Sequence, residues 1–147
     1  MEKPNKTEQE TEANLIVVPP PLSEDEIEER RIISAKALEL VQISIAKLTI
    51  SFPLFYIPLI NLKKIESRRI PTMGVGITGL FDLSLLYNPE FVLSLTTVQL
   101  RAILQHEAMH ILLQHLTRGK NFASNFKLYN IGADLTINPK LKGIPSW

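Results

Sequence analysis

The densest chemistry in this chain is the run His106-Glu107-Ala108-Met109-His110. On a helix turning about 100° per residue, His106 and His110 lie about 40° apart, so two imidazoles project one turn apart from a single face. Such a pair chelates a metal. Glu107 stands at the edge of the same face, within reach of a water on the ion without being a ligand itself. The His-Glu-x-x-His spacing therefore offers a Lewis acid, a polarised water and a proton shuttle. The competing reading is a core helix whose two histidines are satisfied by hydrogen bonds. Against it stands the apolar stripe Leu100, Leu104, Ala108, Ile111 and Leu112 on the opposite side. That stripe predicts a helix buried on its back, holding its ligands toward a cleft.

A catalytic zinc takes three protein ligands and leaves one position for water, so the two histidines need a partner. His115 is nine residues beyond His106. On a continuous helix it faces the apolar side and cannot reach the same ion, which makes it a structural histidine. The better candidate is Asp134, in Asn130-Ile131-Gly132-Ala133-Asp134-Leu135-Thr136-Ile137-Asn138. Asn130, Asp134 and Asn138 recur at four-residue steps on one helical face, and Asp134 is the only ionisable group of the three. Gly132 and Ala133 would let this helix pack closely on the first. The alternative leaves Asp134 as a surface carboxylate that caps a helix or pairs with a cation. Asn130 and Asn138 read as groups supporting the ligands, or as caps, rather than as ligands. For an oxyanion donor, Tyr87 and Tyr129 qualify by residue type only, and a core role suits each better.

These side chains need a scaffold. Ser23 and Glu26 form a capping box with Leu22 and Ile27 as a hydrophobic staple, opening a long helix that ends near Ser51 before Pro53. Ile27, Ala35, Leu38, Val41, Ile45 and Leu48 give it one packing face. The charged run Glu28-Glu29-Arg30-Arg31 reads as a solvated face. Between Pro53 and Ile70 periodicity does not choose between a turn with a strand and a short helix through Leu62 to Glu66. Met73 to Ile77 and Leu80 to Tyr87, joined around Thr78-Gly79, predict an antiparallel hairpin. Asn88-Pro89 turns the chain, and Glu90 to Leu93 is a short helix or a loop. A second capping box, Thr96 with Gln99, starts the histidine helix, expected over Thr97 to Thr117 with a stop at Gly119. A polar connection, Lys120 to Phe126, leads to a last short helix over Lys127 to Ile137, closed by Pro139. The class is α+β, with residues 1–21 as an extended or disordered tail and 22–147 as one domain.

The totals fit that picture. A chain of 147 residues suits one domain with a real core, and a formal net charge of +1 gives no electrostatic case for nucleic acid. No cysteine is present, which rules out disulfides, thiolate zinc sites and cysteine nucleophiles. Met1 to Ala13 is polar and acidic and reads as no secretory signal, so a cytoplasmic protein is expected. Leu48 to Leu62 is nearly uncharged, but Lys47, Pro53 and Pro58 leave it too short and too broken for a membrane span of about 20 residues. It is expected in the core, or as a homodimer surface if the fold leaves it exposed.

Four ordered stretches carry a family resemblance: Thr72-Met73-Gly74-Val75; Leu86-Tyr87-Asn88-Pro89-Glu90-Phe91; the His106 to His110 motif with Leu113, His115 and Arg118; and Asn130 to Asp134 with Ile137-Asn138. Together they resemble the Putative metallopeptidase domain that precedes von Willebrand factor A-like domains in bacterial and archaeal proteins. The resemblance implies a zincin-like fold, zinc on His106, His110 and Asp134, and Glu107 as general base. It implies a peptide or protein substrate, aligned along the strand Gly74 to Ile77 as in small zincins, and a role for Arg118. A catalytically silent or latent metal-stabilised binding module is the alternative function.

Overall fold

The computed structural model describes residues 21–80, 82–119 and 124–145. The expected tail lies outside these residues except for Pro21, as does most of the Lys120 to Phe126 connection.

Helix α1 spans Glu24–Ser51, the predicted extent. Its capping box is formed: Glu26 N–H donates to Ser23 Oγ at 3.2 Å, and Ser23 N–H donates to Glu26 Oε2 at 2.8 Å. The helix buries only its second half, through Ala37, Val41, Ser44, Ile45 and Leu48, against which the three helices that follow it pack. Ile27 and Ala35, expected on that face, are exposed, because the first turns run past the elements that form the core.

Pro53 opens α2 (Pro53–Ile60), where its missing N–H costs nothing. Lys64 closes it, its Nζ donating to the Leu59 and Ile60 carbonyls at 3.1 and 2.7 Å, a cation at the negative helix end. The undecided stretch is thus a helix followed by a strand, β1 (Lys63–Glu66). The hairpin is as predicted, with β2 (Met73–Thr78) and β3 (Asp82–Tyr87) antiparallel from Met73↔Tyr87 to Thr78↔Asp82. Gly79 turns it at φ 65°, a left-handed conformation that glycine adopts without a Cβ penalty. The sheet is larger than a hairpin and mixed, in the order β1-β3-β2, with β1 parallel to β3. Arg68 locks its edge to the helices by pairing with Glu66 and Glu90 and donating to Ser34 Oγ.

Asn88 caps α3 (Pro89–Ser94), accepting from the Glu90 and Phe91 amides. Thr96 and Gln99 then form the second capping box, and α4 (Thr97–Leu112) begins where expected. Leu100, Leu104 and Ala108 are buried and Ile111 packs on the core, while Leu112 is exposed at the helix end. The helix stops five residues early. Leu113 caps it, Gln114 turns left-handed at φ 56°, and a separate turn, α5 (His115–Arg118), follows. Helix α6 (Phe126–Ile137) continues into a 3-10 turn at Asn138–Lys140. Among the described residues no helix is long and apolar enough to cross a membrane.

Candidate metal centre

The predicted ligands come together. His106 and His110 project from α4 with their Nε2 atoms 2.8 Å apart, and Asp134 Oδ1 of α6 lies 3.3 Å from the first and 3.1 Å from the second. All three donor atoms fall within 4.8 Å of one another. Four-coordinate zinc with donors at about 2.0–2.1 Å sets them roughly 3.3 Å apart. Two edges of the triangle match that spacing, and the histidine edge closes it with a small opening of the rings. Among the described residues Asp134 pairs with no lysine or arginine, so the surface-pair alternative does not hold. Three lone-pair donors facing one another repel unless a proton or a cation sits between them; the donor set fits a divalent ion.

The site opens into a cavity of about 350 Å³, walled by Thr72 to Val75 of the sheet edge, by α4 and by α6. Glu107 lines the same cavity and is buried at 7% exposure. Its Oε2 accepts from Val75 N–H at 2.8 Å, which ties α4 to β2. Burial pushes its carboxyl up to about 8; the Val75 hydrogen bond pulls the other way, and the Asp134 charge adds to the rise. His110 moves down to about 4, chiefly through burial and then through the neighbouring His106, with Asp134 opposing. Both groups are thereby held neutral near pH 7 in the metal-free protein. A neutral imidazole is the form that ligates.

Asn130 and Asn138 share the Asp134 face and line the cavity, as the four-residue spacing predicts. Both are exposed, and among the described residues neither hydrogen-bonds to His106, His110 or Asp134. Gly132 does not mediate close packing: a Cβ there would meet nothing within 4 Å, and Ala133 is the small residue that is buried. Tyr87 is a core residue at 3% exposure. Tyr129 Oη donates to the His115 carbonyl at 3.0 Å.

His115 departs most from expectation. It does not face the apolar stripe, because the chain breaks at Gln114 and restarts in α5, which brings His115 Nδ1 to 3.2 Å from His110 Nδ1. It still lies outside the three-donor group. Burial, and then the Arg118 charge, lower its pKa, which places Arg118 within electrostatic reach of the site. No glycine or proline marks the break in sequence; a left-handed non-glycine residue costs about 1–2 kcal/mol and persists only where tertiary contacts demand it. Nor does any local pattern announce the Val75 to Glu107 bond.

No solved structure matches this chain. An "Uncharacterized protein" of Thermotoga maritima is 30% identical over 86 residues, which cover 58% of this chain and 22% of that protein. The chain therefore spans about a fifth of the length of that relative. Residues 69–144 match a family model described as "Putative metallopeptidase domain", and they include β2, the histidine helix and the Asp134 helix. With just over half of its residues in that match, the chain belongs to the Putative metallopeptidase domain family.

Proposed function

We propose that this chain is a zinc-dependent peptidase with a zincin-like site, held by His106, His110 and Asp134 and served by Glu107. The observation that carries the reading is the convergence of three donor atoms within 4.8 Å beside a buried carboxyl. Two imidazoles and one carboxylate form a donor set typical of catalytic zinc. When bound, zinc supplies Lewis acidity toward a water and a peptide carbonyl. With a cation held by the three donors, Glu107 returns to its carboxylate form, which takes the proton of the water and delivers it to the leaving amine. Its burial favours the protonated form and so makes it a stronger base than a carboxylate in water. Asp134 brings one negative charge to the site, and the Val75 hydrogen bond fixes one Glu107 oxygen so that the other is aimed by a rigid frame. An extended peptide would lie along the edge strand β2; of the expected stretch Gly74 to Ile77, Gly74 and Val75 wall the cleft together with Thr72 and Met73, and the Val75 amide is already engaged by Glu107.

One observation favours the second reading, a catalytically silent, metal-stabilised binding module. The Val75 amide already occupies one Glu107 oxygen, as a purely structural carboxylate would require. Labelled casein separates the two. We expect the zinc-loaded protein to hydrolyse it, and Glu107→Gln to lose about 10²–10⁴-fold in rate with zinc content unchanged. Equal hydrolysis by that variant would overturn the mechanism, and no hydrolysis by either would favour the binding module.

A further inference from the structure

We propose that His115 is a positioning residue for His110: it accepts the Nδ1–H of His110 and so presents His110 Nε2, with its lone pair, to the metal site. The inference rests on the metal reading above. His110 Nε2 faces Asp134 Oδ1 and His106 Nε2, so Nε2 is the ligating atom. A neutral imidazole carries its one proton on the other nitrogen when Nε2 is to bind a metal. That nitrogen, Nδ1, lies 3.2 Å from Nδ1 of His115. The tautomers follow: His110 protonated on Nδ1, His115 on Nε2.

The backbone is built to make this contact. Were α4 to run on without a break, residue 115 would stand about 140° around the helix from His110. The left-handed turn at Gln114 brings it back, and the two rings meet edge to face with centroids 5.2 Å apart. The Tyr129 hydroxyl then grips the His115 carbonyl from α6, the helix that carries Asp134. His115 thus joins the helix of two ligands to the helix of the third. Partners that orient a ligating histidine typically change metal affinity by 10–100-fold.

The test uses zinc itself, titrated in competition with a chromophoric chelator. In His115→Asn the amide oxygen falls near the former Nδ1 and still accepts a hydrogen bond, whereas His115→Leu keeps bulk and loses the acceptor. We expect the leucine variant to bind zinc roughly 10–100-fold more weakly and the asparagine variant to stay close to wild type. Equal affinity in wild type and leucine variant overturns the inference. So does equal weakening in both variants when their metal-free melting temperatures match wild type. A second readout needs no variant: in the zinc-loaded protein, nitrogen NMR should show the His110 Nδ1 proton shared with His115 Nδ1 through a coupling across the hydrogen bond, and a His110 Nδ1–H without that coupling contradicts the proposal. If the wild type itself fails to take one zinc per chain, the metal reading falls; if it takes one and His115→Leu does too with the same affinity, only the role of His115 falls.

Discussion

Glu107→Gln tests the buried carboxyl without any substrate. In the metal-free protein the folded state holds the Glu107 proton to about 8, whereas the unfolded chain releases it near 4.5. The stabilisation is fully present below 4.5 and is lost as pH rises toward 8, because ionisation is then easier in the unfolded chain. The whole gap corresponds to roughly 4–5 kcal/mol, of which about 3.5 kcal/mol falls between pH 5 and pH 8. Water at the cleft mouth makes that an upper bound. Glutamine keeps an oxygen for the Val75 amide and carries no charge. In chelator, urea unfolding followed by circular dichroism should therefore find the two proteins similar at pH 5 and the variant more stable at pH 8, by about 2–3.5 kcal/mol. His110 contributes with the opposite sign. Its folded pKa of about 4 lies below the ordinary 6.5, so its stabilisation is present above 6.5 and lost as pH falls toward 4. That contribution is common to both proteins and cancels in their difference. A difference that stays constant from pH 5 to pH 8 would refute the assignment of a buried, proton-holding carboxyl.

Two further predictions concern the scaffold. Leu104 is fully buried behind the site, so Leu104→Ala should destabilise the protein by about 2–5 kcal/mol in the same unfolding assay; a loss below 1 kcal/mol would show that this side chain does not anchor α4. Ile50, Leu54 and Ile57 are 90%, 62% and 67% exposed where α1 meets α2, leaving the surface on which a homodimer would form. Light scattering should then find a dimer that Ile57→Asp dissociates, and a wild type that stays monomeric at every concentration would remove that expectation.

Much of the scaffold could be read from local patterns because its signals are local. Ser23 with Glu26 and Thr96 with Gln99 set two helix starts, and Thr78-Gly79 marks the hairpin, each within a few residues. The residues that converge could be read too: helical spacing puts His106 and His110 on one face and Asp134 with the flanking asparagines on another, and the structure brings the three donors together. What escaped depends on distant partners. Lys63 to Glu66 becomes a strand because β3 lies beside it, and Gln114 turns left-handed although a polar residue there would suit a continuing helix. The position of His115 depends on that single turn. The exposed start of α1 has the same origin: periodicity shows which face is apolar, but not how far along the helix other elements extend to cover it.

Zinc stoichiometry is the most direct test of the centre. By elemental analysis after equilibration with zinc and desalting, the wild type should hold one ion per chain and Asp134→Ala well under half of one, with its melting temperature in chelator unchanged. An Asp134→Ala protein that retains a full zinc with wild-type affinity would contradict the three-donor centre.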